Sequence, residues 1–204
     1  MDYSPLKFDE GTHRYWLDGR PVPSVTQVLA PSRADLLAIP SDILERKRAL
    51  GVAVHRATEL IDLGEELDPD SLDETWLPYI AAWRKFRAEV DFQITHVERK
   101  VWHRQMRYAG TLDRFGILEK RWPTVIDVKC SAQLHPSYGP QLAAYARGHA
   151  HIEEPDREME VRYRRFVVQL KPDGTYRMPE YTNPLDWAGF AGLLAFNQWK
   201  ESIQ

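Results

Sequence analysis

Residues 124–130 read TVIDVKC. Thr, Val and Ile favour an extended strand, yet this one carries an acid and a base two positions apart. Side chains alternate along a strand, so Val125, Asp127 and Lys129 face one side while Ile126, Val128 and Cys130 face the other. A strand apolar on both faces lies inside a covered sheet. Burying charge there is costly unless the charges are paired or hold a metal. Asp-x-Lys therefore reads either as a structural ion pair at a sheet edge or as half of a metal-dependent active site. The tripeptide alone is too common to separate the two.

The flanking sequence supplies a sheet for this strand. Residues 92–103 and 108–118 predict two strands joined by the polar turn HRQMR, and 124–130 is the third. After Gly139-Pro140, QLAAYARGHA predicts a helix. Residues 160–170 and 175–181 predict a hairpin around KPDG, and Asn183-Pro184 opens a final helix through Trp199. Upstream, Ile43, Leu50, Val54, Ala57 and Ile61 recur at helical spacing and predict a helix over 41–63 with Gly64 as its stop. Trp76, Ile80, Trp83 and Phe86 predict a second over 72–90, with Pro78 in its first turns. Residues 12–24 predict a hairpin turning at Asp18-Gly19, the dipeptide of a type I′ turn. Ser24 caps a short helix through Ala30, and Pro31 and Pro40 bracket a loop or helical turn. The fold class is α/β: a mixed central β-sheet flanked by helices, with an N-terminal hairpin and helical region. One domain spans 1–204, with 1–40 as hairpin and leader and 41–204 as core.

A chain of 204 residues suits one domain burying roughly 70% of its unfolded surface. Cys130 is the single cysteine; it excludes an internal disulfide, a zinc ribbon and a four-cysteine iron–sulfur cluster, and reads as a buried small hydrophobe. MDYSPLKFDE has no apolar signal core, and no apolar run reaches membrane-spanning length. A cytoplasmic protein with no membrane partner is expected. The net charge of −3 does not advertise nucleic-acid binding, but its distribution is uneven. Ala57 to Trp83 holds no Lys or Arg, while bases gather at Arg46-Lys47-Arg48, at Arg99-Lys100 with Arg104 and Arg107, and at Arg162 with Arg164-Arg165. Such segregation leaves a positive surface or, more plainly, solvated faces.

Phosphodiester hydrolysis needs hard oxygen ligands for a divalent cation, a positioned water and a counter-charge for the developing anion. Asp113, in YAGTLDRF, lies on the strand before TVIDVKC, and adjacent strands stand about 4.8 Å apart. Asp113 and Asp127 can thus grip one cation from two directions. Lys129 is placed to orient the water or meet the phosphate, and the Val128 carbonyl is a further candidate ligand. Gly110 would let substrate backbone approach closely. Gln141 and Tyr145, at i and i+4, share a helix face behind the strand and can donate to phosphate or hold Lys129. His55, one turn after Gly51, is a candidate metal ligand, and Glu98 an additional carboxylate. Each has a plainer reading: Asp113 as a strand-end turn residue, Gly110 as relief at a bulge, His55 as a satisfied half-buried histidine, Gln141 and Tyr145 as helix surface, Glu98 as surface charge. Order and spacing carry the case. Trp102, Tyr108 and Tyr138 are candidates for stacking on unpaired bases, or belong to the core.

GVAVH, VE, YAGTLD, VIDVK and QLAAY, in that order over residues 51–145, resemble the PD-(D/E)XK nuclease superfamily. The nearest branch is the RecB-like and phage-type exonucleases, with their pattern G-x-x-x-H … E … G-x-x-D … (D/E)-x-K … Q-x-x-x-Y. HRYWLDGRPVPSVTQVL also resembles leaders of phage members. The resemblance implies a restriction-endonuclease-like core. It implies that His55, Asp113, Asp127 and the Val128 carbonyl ligate one or two Mg2+ or Mn2+ ions, that Lys129 aids the water, and that Gln141 and Tyr145 support phosphate binding. Asp127 departs from the Glu of many members and has a shorter reach. Some relatives carry an iron–sulfur cluster, which one cysteine cannot hold, and no G-x-x-x-x-G-K-[ST] loop is present for an ATP motor. The expected function is a metal-dependent DNA exonuclease of phage or prophage recombination, leaving 5'-phosphate and 3'-hydroxyl ends in a bacterial host cytoplasm. DNA, a single-strand annealing protein and a second copy of the chain are the candidate partners. The alternatives are a sequence- or structure-specific endonuclease and a non-catalytic DNA-binding subunit.

Overall fold

The computed structural model describes residues 5–38, 40–160 and 162–203. TVIDVKC lies in β6 (Trp122–Lys129), near the middle of a five-stranded sheet. Its neighbours are β5 (Tyr108–Leu118), outside which lies β4 (Phe92–His103), and β7 (Arg164–Leu170), followed by the short β8 (Tyr176–Arg177). β6 and β7 are parallel and every other pair is antiparallel. A parallel pair needs a crossover, and α4 (Tyr138–Glu153) runs between the two strands in the chain. The three-stranded sheet of β1 (Leu6–Asp9), β2 (Arg14–Leu17) and β3 (Arg20–Val22) is antiparallel. Asp18 and Gly19 have φ of 52° and 75°, as a type I′ turn requires.

Alternation along β6 divides the core into two layers. Val125 packs with Leu112, Val167, Leu142, Tyr145 and Phe190, beneath α1 (Val25–Val28), α4 and α5 (Asp186–Ser202). Ile126 and Val128 pack with Val54, Trp83, Phe86 and Val168, beneath α2 (Ser41–Asp62) and α3 (Leu77–Glu89). Cys130 adjoins this second layer, and burial pushes its thiol up to about 12. The leader is no appendage. Ser24 caps α1 through a reciprocal pair of bonds with Gln27, and Val25, Val28 and Leu29 are fully buried in the first layer. Ser24 bridges Ala109, and the Tyr15 hydroxyl meets Thr111 Oγ1 at 2.7 Å.

Several boundaries differ from expectation for local reasons. α3 begins at Leu77 rather than 72, because Asp73 Oδ1 accepts from the backbone and hydroxyl of Thr75, a side-chain turn that competes with helix. The strand expected over 175–181 shrinks to two residues; Pro179 lacks a donor, and only Glu180 bridges back to Phe166. β7 starts at Arg164 rather than 160; residue 161 of that expected strand lies outside the described residues. The final helix starts at Asp186, after Asn183 Oδ1 accepts the Leu185 N–H. Among the described residues no helix is long and apolar enough to cross a membrane.

Candidate metal centre

β5 and β6 pair from Leu118–Trp122 as far as Arg114–Ile126. Beyond that point the ladder gives way to a side chain: Asp113 Oδ2 accepts the Val128 N–H at 2.7 Å. The strands thus part where both carry their aspartates, and a backbone donor that the sheet would have used fixes the Asp113 carboxylate instead.

His55 reaches this gap from α2. Its Nε2 donates to the Val128 carbonyl at 2.7 Å, so in the neutral ring the lone pair sits on Nδ1. That nitrogen lies 3.7 Å from Asp113 Oδ2. Next to Gly51, one turn earlier, a Cβ would meet nothing within 4 Å, so the helix leaves space there. The Val128 carbonyl, implied as a ligand by the resemblance, accepts from His55 and has Lys129 Nζ at 3.4 Å.

The third member is Glu98. Ligating atoms of His55, Glu98 and Asp113 all lie within 4.8 Å of one another. Glu98 is skipped in the β4–β5 pairing, between Val97–Arg114 and Arg99–Leu112, and has a left-handed φ of 48°, a conformation rare for a side-chain-bearing residue and concentrated at sites of function. Burial, then the neighbouring Asp113 charge, raise its carboxyl to about 8 despite Arg114. The sequence treated Glu98 as an addition to a set led by Asp113 and Asp127; mutual proximity instead joins Glu98 to His55 and Asp113.

Asp127 stands beside this group. It is 1% exposed, and burial raises its carboxyl, with Lys129 opposing and Asp113 reinforcing the shift. Its Oδ1 accepts from Gln141 Nε2 at 2.9 Å. Its Oδ2 meets the Lys129 ammonium at 2.5 Å. Burial lowers the Lys129 pKa, but Asp127 and Asp113 outweigh it and hold the ammonium charged. Three carboxylates are thus gathered near one imidazole, and hard oxygen donors beside an imidazole suit Mg2+ or Mn2+.

Gln141 and Tyr145 are buried, at 3% and 4% exposure. The two Gln141 N–H groups go to Asp127 and the Tyr145 hydroxyl, so neither is free for phosphate. Gly110 serves packing rather than substrate approach: a Cβ there would lie 2.8 Å from the Tyr145 ring and 3.1 Å from Val25. Tyr108 is not available for stacking on bases; it is fully buried and donates to the Ala144 carbonyl. Trp102 packs against the hairpin. Tyr138 does border the site, its ring centre 5.3 Å from Lys129 Nζ.

Each basic cluster has ion-paired members. Arg46 meets Asp42, Arg99 meets Glu153, Arg104 meets Asp18, Arg164 meets Glu180 and Arg165 meets Asp186.

Two residues escaped the sequence reading. Arg114 is wholly buried; it bonds Asp62 Oδ2 at 2.6 Å, Thr58, Glu98 and the Asp113 carbonyl. Adjacent charges in TLDRF, inside a strand, were its available signal. Arg33, in the 3-10 stretch Ala30–Ala38, had none; it reaches Ser137 and Gln141.

His103, His151 and Glu158 form a second group of close ligand atoms. Their stacked rings direct His103 Nε2 and His151 Nδ1 to the two Glu158 oxygens, at 3.0 and 2.8 Å. The outer ring nitrogens accept from the Met106 and Arg104 backbone N–H groups. Both imidazoles therefore carry their proton toward Glu158, where a metal would need the lone pair. This is a closed hydrogen-bonded clasp.

No family model matches the chain, and no curated protein matches it. A solved structure described as "Crystal structure of SSO0001" is similar over 58% of this chain and 55% of that one, at 17% identity and a TM-score of 0.33. The chain thus spans about half the length of that protein, and so slight a likeness carries no argument.

Proposed function

We propose that the chain is a Mg2+- or Mn2+-dependent deoxyribonuclease of PD-(D/E)XK type, acting as an exonuclease on DNA in the cytoplasm. One observation carries the reading: His55, Glu98 and Asp113 bring ligating atoms within 4.8 Å of one another, beside a buried Asp127 whose Oδ2 is held by the Lys129 ammonium at 2.5 Å. His55 Nδ1, Glu98 and Asp113 would hold the ion, with Asp127 Oδ2 facing it from β6. Bound there, a divalent cation lowers the pKa of water and neutralises phosphate charge. The chain's own residues do the rest. Gln141 and the Val128 N–H fix the two aspartates, and His55 is locked in the ligating tautomer by the Val128 carbonyl. Lys129 keeps 20% of its side chain exposed; its ammonium is the group that orients water toward a phosphate held outside Asp127.

The products would be 5'-phosphate and 3'-hydroxyl ends, in phage or prophage recombination beside a single-strand annealing protein. The test is an assay on end-labelled linear DNA beside covalently closed circles, with and without Mn2+. Linear DNA is expected to be degraded and circles spared. Cutting of circles would make the protein an endonuclease on the same site. Absence of any metal-dependent cleavage, with unchanged DNA in the Asp127→Asn control, would remove the nuclease reading.

A further inference from the structure

We infer that Arg33 is a positioning residue of the candidate metal centre, acting through Gln141 on Asp127; the inference rests on the proposed function and deepens it. An amide side chain can present either end to a partner, and the end is set by what holds the other. Arg33 Nη2 donates to Gln141 Oε1 at 2.7 Å, and Arg33 Nε donates to Ser137 Oγ at 2.8 Å. A guanidinium only donates, so it holds the carbonyl end of Gln141 and turns the N–H groups inward. One then reaches Asp127 Oδ1 at 2.9 Å and the other the Tyr145 hydroxyl. Turned over, Gln141 would set a donor against a donor at Arg33 and a carbonyl against a carboxylate at Asp127.

With Oδ1 tied to Gln141, Asp127 presents Oδ2 to the Lys129 ammonium. The Tyr138 ring props both cations, with Arg33 Cζ 5.9 Å and Lys129 Nζ 5.3 Å from its centre. Arg33 itself belongs to the leader, which thereby contributes to a site that the motifs confine to residues 51–145.

The variants are Arg33→Met, which removes both bonds, and Arg33→Lys, whose single ammonium cannot span Ser137 and Gln141 together. Three quantities are read: Mn2+ affinity of the DNA-free protein by calorimetry, DNA affinity by anisotropy in Ca2+, and the single-turnover cleavage rate at saturating DNA. Arg33→Met is expected to weaken Mn2+ binding and slow cleavage by about 10-fold each, as removal of a group that orients a metal ligand does. DNA affinity stays unchanged, and Arg33→Lys falls between. A loss of DNA affinity with the saturated rate intact would make Arg33 a phosphate contact and overturn the inference. So would a lower melting temperature with Mn2+ affinity and rate both preserved. If the wild type binds Mn2+ but cleaves nothing, the nuclease reading fails and the Mn2+ arm alone decides the role of Arg33; if it binds no Mn2+, the inference fails.

Discussion

Asp113 and Arg114 are adjacent in β5 and opposite in circumstance. Arg114 points into the layer beneath α2 and α3, where Asp62, Thr58, Glu98 and the Asp113 carbonyl meet its guanidinium, and Asp62 is in turn bonded by Trp83 and approached by Arg87. Asp113 points to the gap at the end of the β5–β6 ladder, among Glu98, Asp127 and His55. One buried charge is closed on itself; the other is short of positive charge. The clasp of His103, His151 and Glu158 belongs with the closed kind, since every ring nitrogen there has its partner. Saturation marks structure, and a deliberate shortfall marks chemistry.

The contrast can be broken at either side. Asp113→Asn and Asp127→Asn keep an acceptor for Val128 N–H and Gln141, so the fold should persist while Mn2+-dependent cleavage disappears; cleavage near the wild-type rate in either would refute the role given to the carboxylates. Arg114→Met should do the reverse in kind, stripping Asp62 of its partner at a cost of about 3–5 kcal/mol, read by urea denaturation. A loss below about 1 kcal/mol would mean that the pair is not the closed core described here.

A third measurement sharpens the contrast through pH. The folded state holds the Glu98 proton up to about 8, against 4.5 ordinarily. Between those values the native protein binds a proton that the unfolded chain has released. Glu98 therefore favours the fold at low pH, and that contribution is lost as pH rises through 8. The melting temperature of the metal-free protein should fall over this range, less so in Glu98→Gln, and Mn2+ should restore it. His149, which burial depresses to about 3, works in the opposite sense: its contribution is complete above 6.5 and lost as pH falls toward 3. The smallest effect is expected at the clasp. Glu158→Gln misdirects one of two hydrogen bonds, costs about 1 kcal/mol and leaves Mn2+ affinity untouched; a second Mn2+ or Zn2+ equivalent lost in this variant would show the clasp to be a metal site after all.

Much of this was legible because strand alternation is rigid. TVIDVKC separates Asp127 and Lys129 from Ile126 and Val128, and the structure keeps that division, layer against layer. The 92–103 and 108–118 strands match to the residue, since a polar turn interrupts an uninterrupted period. Glu98 was underestimated because its position depends on a left-handed residue inside a strand, which no period announces. Arg33 was invisible because it lies in a proline-bracketed stretch with no repeat and reaches its partners across 104 and 108 residues of chain.

Gly110 ties α1 to the centre of the molecule. Tyr145 from α4 and Val25 from α1 both press on the place where its side chain would be, so two helices and the sheet converge on a hydrogen atom. Trimming the chain to its motif-bearing part would therefore strip a wall from the core, and the shortened protein should aggregate rather than survive as a minimal enzyme.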